Sequence, residues 1–200
     1  MTVRTRKSAP ERKAEIVETA IRLAADIGPD RLTTEQLATE IGISQPAIFR
    51  HFPTKDAIWE NVAERICKLM GSRTSVDTGA APDVLVRRMV AAQLDFIKTT
   101  PAVPAILFSR ELHAQNDTLR QIFANLMSGR QKRMAGVFAK GVESGVFRKD
   151  LDTDAAAYLV LTLIQGLAMR WSLENRAFDL VSEGGRLLDL QMHAYLATPE

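Results

Sequence analysis

Three residues, Gly42-Ile43-Ser44, separate two short segments of helical apolar period, and so short a join limits what the chain can fold into. Upstream, Thr33-Thr34-Glu35-Gln36 is a capping box, in which the Thr33 side chain accepts from the Gln36 backbone while the Gln36 side chain accepts from that of Thr33. It opens a helix with Leu37, Ala38 and Ile41 on its apolar side. Gly42 can end that helix because it takes positive φ without steric cost. Ser44 then caps the next helix, where Pro46 is tolerated because its missing N–H belongs to the first turn. Ile48 and Phe52 face inward, and Pro53-Thr54 ends the segment. So tight a turn crosses the two helices roughly at right angles, as in a helix-turn-helix unit. Ala38 is the small residue at the crossing, and Leu37, Ile41, Ile43 and Ile48 are spaced to lock the pair.

The remaining chain also reads as helix, and no segment alternates as a strand. Ser8-Ala9-Pro10-Glu11 is a further capping box, opening a helix with Ile16, Ala20, Leu23 and Ile27 on one face. Gly28, in the left-handed conformation, and Pro29 stop it. Thr54 caps a long fourth helix carrying Ile58, Val62, Ile66 and Leu69. A polar stretch over 71–83 is the best linker, and further helices are expected near 83–99, 102–115, 117–144, 153–173 and 183–197. Gly145, with Val146 after it, closes the long third of these in a Schellman-type ending. The expected fold is all-α: a helix-turn-helix domain over 1–55, then a helical effector-binding and dimerisation domain over 56–200.

Charge is decisive only locally. Net charge is +2, and residues 1–60 carry nine Lys/Arg against nine Asp/Glu, so no global basicity points to nucleic acid. Yet Arg50, His51 and Lys55 cluster at the second helix of the unit, and Arg4, Arg6 and Lys7 form a basic arm before any acid. That arm either reaches a minor groove or is a solvated tail. With Ile48 and Phe52 buried, Gln45, Pro46, Ala47, Phe49 and Arg50 lie on the outer surface. Gln45 can pair with adenine and the Ala47 methyl can touch a thymine methyl. Thr33, Thr34, Ser44, His51 and Lys55 suit phosphates, and Arg50 suits either.

Other chemistry finds little support. His51, His113 and His193 are far apart and lack metal-ligand spacing, so no metal or cofactor is expected. Cys67 sits mid-helix without a neighbouring histidine, which reads as a packed thiol rather than a nucleophile, and it excludes an intramolecular disulfide. Asp150-Leu151-Asp152-Thr153-Asp154 fails as a calcium loop, because Ala155 and Leu161 stand where glycine and glutamate are needed. It reads as a polar turn with acids at a helix N-terminus. No catalytic constellation appears, so the chain is not expected to be an enzyme. The uncharged run between Asp154 and Arg170 falls short of the ~20 apolar residues that span a bilayer. With no secretory leader at Met1, a soluble cytoplasmic protein is expected.

The run TTEQLATEIGISQPAIFRHFPTKDAIW closely resembles the DNA-binding domain of the tetracycline-repressor (TetR) family, and the resemblance covers residues 11–60. Phe49 departs from it, since that position is most often a tyrosine whose hydroxyl binds a phosphate. The resemblance implies a homodimer formed by the last two long helices, here 155–173 and 187–196, with Gly166 and Ala168 allowing close approach. It also implies a double-stranded DNA operator, palindromic to match the dimer, and a small-molecule effector pocket among the central helices. The expected lining is Cys67 and Met70 on helix four, then Met89, Gln93 and Phe96, then Leu107, Glu111, Phe123 and Met127, suited to a hydrophobic molecule. The expected function is thus a ligand-responsive transcriptional repressor. The alternative is a helical ligand-binding or scaffold protein whose helix-turn-helix has lost DNA affinity, for which Phe49 is the best support.

Overall fold

The computed structural model describes residues 7–73 and 79–197. Ten helices occur among them: α1 (Ala9–Ile27), α2 (Thr34–Ile41), α3 (Gln45–Phe49), α4 (Lys55–Arg73), α5 (Pro82–Thr99), α6 (Ala102–Leu107), α7 (Arg110–Gln115), α8 (Asp117–Glu143), α9 (Thr153–Leu173) and α10 (Leu180–Met192). The described residues contain no strand; their single β-bridge is antiparallel and pairs Phe147 with Leu196. The fold is all-α, as the periodicity predicts.

Both capping boxes form. Ser8 and Glu11 exchange hydrogen bonds at the start of α1, and Thr33 and Gln36 do so at the start of α2. Gly145 closes α8 with φ +75°, and the Val146 N–H reaches the Gly141 carbonyl at 2.9 Å while that of Gly145 reaches Val142 at 3.1 Å. Gly28 also has positive φ (+83°), but its ψ of 147° is extended rather than left-handed helical. Pro29 explains the difference, because a following proline pushes ψ to extended values. Ile27, expected inward, is exposed at the frayed end of α1.

Two other boundaries differ from expectation. The segment 102–115 is two helices, broken at Phe108-Ser109. There the extended Ser109 caps α7, its hydroxyl accepting from the Leu112 N–H at 3.1 Å. The last helix spans 180–192 rather than 183–197. Asp179 caps it through the Ser182 N–H at 2.8 Å, and the chain past Met192 turns to pair with the α8–α9 loop. In that pairing Arg148 N–H donates to the Tyr195 carbonyl and Ala197 N–H to that of Val146.

One continuous hydrophobic core runs through the described residues, and α4 packs along both of its halves. In the first, α1 lies on α4 and on α6, with Ile16, Ala20, Ile48, Phe52, Ile58 and Val62 essentially without solvent contact. In the second, α8 packs on α4, α5 and α9, while α10 packs on α5 and α9. Although its uncharged run is short, α9 as a whole is long and apolar enough to cross a membrane, which differs from the expectation; α5, α6, α8 and α10 cover it along one side. That coverage makes it a core helix with one face left over.

The end of α8 is the tightest point. A Cβ on Gly141 would stand 2.1 Å from Cδ2 of Phe147, whose fully buried ring lies 5.0 Å from that of Phe138. At Gly136, also in α8, an added Cβ meets nothing within 4 Å. Gly141→Ala is therefore expected to destabilise by about 1–3 kcal/mol through overpacking, whereas Gly136→Ala gains up to about 1 kcal/mol of helix propensity. Urea unfolding of the two variants checks the opposite signs.

Candidate nucleic-acid interface and effector cavity

The turn between α2 and α3 is set by Gly42. Its φ of 71° and ψ of 43° are left-handed, its N–H bonds to Thr39 at 3.1 Å, and the Ile43 N–H bonds to Ala38 at 3.0 Å. Ala38 and Ile48 are buried beneath the crossing. Ser44 precedes α3 in extended conformation but makes no side-chain capping bond, so its hydroxyl is left at the exposed surface. The Gln45 Nε2 group donates to Thr34 Oγ1 at 2.7 Å. Thr34 is buried, so its hydroxyl holds Gln45 rather than facing outward as a phosphate donor.

Thr33, Gln45, Pro46, Phe49, Arg50 and Lys55 are exposed, while Ala47 and His51 are half-buried. Thr54 caps α4 through the Ala57 N–H at 3.1 Å and fixes where Lys55 projects. Among the described residues neither Arg50 nor Lys55 is tied to a carboxylate. The neighbouring pairs Arg22–Glu40 (2.6 Å) and Arg65–Glu18 (2.5 Å) instead brace α1 against α2 and α4. The surface thus keeps two uncommitted cations beside a row of small polar groups, which suits a phosphate backbone. Of the basic arm, Arg4 and Arg6 lie outside the described residues, and Lys7 pairs with Glu15 at 2.7 Å.

A cavity of about 330 Å³ opens between α4, α5, α8 and α9. Cys67 and Met89 line it, together with Leu126, Arg130, Arg133 and Leu161. A small adjoining hollow of about 20 Å³ is lined by Met70, Gln93, Leu107 and Met127, among others. Gln93 links the two, because its Oε1 accepts from an Arg130 guanidinium N–H. Burial first, and the charge of Arg133 second, push the Arg130 pKa down to about 10, so it stays protonated at neutral pH. Of the other pocket residues expected from sequence, Phe96 is in the core and lines neither space. Phe123 is buried edge-to-face against His113 at 5.7 Å. Glu111 is exposed, beside a hollow that it shares with Lys55, Asp56 and Trp59.

Arg130 and Arg133 were not legible as pocket residues, although a signal exists. Phe123, Leu126, Met127, Arg130 and Met134 fall at helical spacing, so Arg130 interrupts an apolar stripe. Two polar contacts cross from this region to the half of the core around α1. Ser109 Oγ donates to Asp30 Oδ1 at 2.5 Å, and Asn116 Nδ2 donates to Glu60 Oε1 at 3.2 Å. On the outside, α9 exposes Tyr158, Leu159, Met169 and Leu173, and α10 exposes Leu190. Gly166 lies on the open face of α9, but Ala168 is buried within the protomer and takes no part in it.

Residues 16–62 match the family described as bacterial regulatory proteins of the tetR family, and residues 82–184 match the C-terminal domain of BetI-type transcriptional repressors. The chain belongs to the TetR family. As a TetR-family protein it is a DNA-binding transcriptional regulator, and α2–α3 is its helix-turn-helix. A curated relative, the nucleoid occlusion factor SlmA of Actinobacillus pleuropneumoniae, is 27% identical over 182 residues, covering 87% of each chain. A solved transcriptional regulator from Saccharomonospora viridis, in complex with choline, is 26% identical with a TM-score of 0.83. That alignment covers 94% of this chain and all of the other. The FadR regulator of Bacillus subtilis, in complex with stearoyl-CoA, shares the fold at 17% identity, with a TM-score of 0.74 over 90% of this chain and 98% of its own.

Cys67 gives this TetR-family cavity a built-in reporter. Burial above all, and Glu64 beside it, raise its thiol pKa, so little thiolate forms at neutral pH. Iodoacetamide should therefore alkylate Cys67 more slowly than free cysteine at neutral pH, with the rate climbing as pH rises. Mass spectrometry of timed samples measures this, and alkylation at the rate of free cysteine would contradict it.

Proposed function

We propose that the protein is a ligand-responsive repressor that binds a palindromic operator as a homodimer and is released by a small molecule. The observation that carries this reading is the reach of α4. The helix begins at Lys55, directly after the recognition segment, and near its other end Cys67 and Gly71 line the cavity. A molecule entering between α4 and α8 therefore pushes on the helix that holds the DNA-facing unit. It changes DNA affinity only through its unequal affinity for the two states. Residues 1–55 read DNA, and residues 56–200 sense the ligand and pair the protomers.

The outward residues Thr33, Ser44, Gln45, Pro46, Ala47, Phe49, Arg50, His51 and Lys55 form the DNA face. Phosphate contacts centre on Lys55, and base contacts on Gln45 and Ala47. Phe49 packs its ring on the sugar-phosphate chain without a hydroxyl contact. The exposed stripe of α9, with Leu190 of α10, forms the dimer face, which sets two recognition helices about one DNA turn apart, ~34–36 Å. Choline and stearoyl-CoA in the solved relatives support a small-molecule effector, and the BetI-type match supports repression. The curated SlmA relatives favour a second reading, a DNA-bound role in nucleoid occlusion, but the cavity joined to α4 favours the repressor. The protein works in the cytoplasm.

Mobility shift of the purified protein on its own upstream DNA, over a series of salt concentrations, tests DNA binding. Binding that rises steeply as salt falls is expected, and its absence would favour a scaffold without DNA affinity. Lys55→Ala should weaken all sequences alike and lower the salt slope by about 1, whereas Gln45→Ala should blur preference at one position. Leu173→Glu tests the dimer face: light scattering should show single protomers where the wild type shows pairs, and an unchanged mass would remove α9 from the interface.

A further inference from the structure

The cavity between α4, α5, α8 and α9 is electrically one-sided. Its apolar wall comes from Met89, Leu126, Met134 and Leu161, and its charge from Arg130 and Arg133. Among the described residues that line it there is neither a carboxylate nor an aromatic ring. We infer that this cavity selects an amphiphilic organic anion, an acyl carboxylate or alkyl phosphate, with its head on Arg130 and Arg133 and its tail along the methionines and leucines. The inference rests on the reading of the cavity as the effector site and names the class of effector.

Four physical arguments carry it. A guanidinium meets carboxylate and phosphate with paired hydrogen bonds, and Gln93 already orients that of Arg130 from one side. Arg133 and burial both disfavour the charge on Arg130, so an anion seated between the two arginines relieves a repulsion that an uncharged ligand leaves in place. A cation would add to that repulsion at low dielectric, and the aromatic faces that usually receive a quaternary ammonium do not line the cavity. Next to it, a groove of about 260 Å³ shares Met89 and Arg133 and adds Lys132 and Lys140 to its lining. These positive charges raise the local concentration of anions beside the cavity.

Titration calorimetry with four ligands of one chain length, each below its micelle concentration, tests the inference: decanoate, decyl phosphate, decanol and decyltrimethylammonium. The two anions should bind once per protomer, decanol roughly tenfold or more weakly, and the ammonium not measurably. The tighter of the two anions identifies the head group. Arg130→Gln should cost decanoate roughly tenfold or more and leave decanol unchanged. If that variant fails to fold by circular dichroism, Arg133→Gln carries the same comparison. Gly129 lines the cavity and an added Cβ there meets nothing within 4 Å, so Gly129→Leu is expected to extend into the cavity and abolish binding of both anions, with circular dichroism checking that the helix is kept.

Binding of decanol or decyltrimethylammonium as tight as decanoate would overturn the inference. So would decanoate affinity unchanged by Arg130→Gln or retained in Gly129→Leu. Operator binding measured alongside separates the two levels. Decanoate that binds without altering operator affinity removes the effector reading and leaves the anion site standing. Operator release by the ammonium alone keeps the effector reading and removes the anion site.

Discussion

The burial of α4 on two sides is the constraint from which the rest of the molecule follows. Ile58, Val62, Ala63, Ile66 and Met70 have almost no solvent contact. The helix they belong to packs on α1 in one half of the core and on α5 and α8 in the other. Fully burying one such side chain contributes on the order of 1.5–3 kcal/mol, so α4 is held far more strongly than any surface ion pair could hold it. Both halves of the core are therefore built against the same helix.

Much of this is legible in the sequence. The capping boxes at Ser8 and Thr33, the glycines at 42 and 145 and the apolar period of α1, α2 and α4 are local signals, and each element formed where its caps dictated. What failed was decided by distant partners. Ser109 breaks the expected 102–115 helix because its hydroxyl both caps α7 and reaches Asp30, from a residue far away in the chain. The last helix ends at Met192 because the following residues find backbone partners at Val146 and Arg148. Ala168 looked equivalent to Gly166 as a small residue of α9, but the two stand on opposite sides of the helix.

The site shows the same division. Which residues of α3 face outward follows from Ile48 and Phe52 being buried, a periodicity argument. That Gln45 is tied to Thr34, and that Ser44 leaves its cap unmade, depends on side-chain geometry that spacing does not encode. In the cavity, the methionines and Cys67 were natural candidates because apolar residues at helical spacing must face something. Arg130 is harder to read, because a charged residue in a helix ordinarily faces solvent. Only the packing of α8 on α4 and α9 turns that position inward.

The Ser109 hydroxyl has one more consequence. A single oxygen starts α7 by accepting from Leu112 and at the same time grips Asp30 in the loop between α1 and α2. The start of α7 and the loop that carries Asp30 thus depend on the same oxygen, so a change that removes it, such as Ser109→Ala, loosens both places at once.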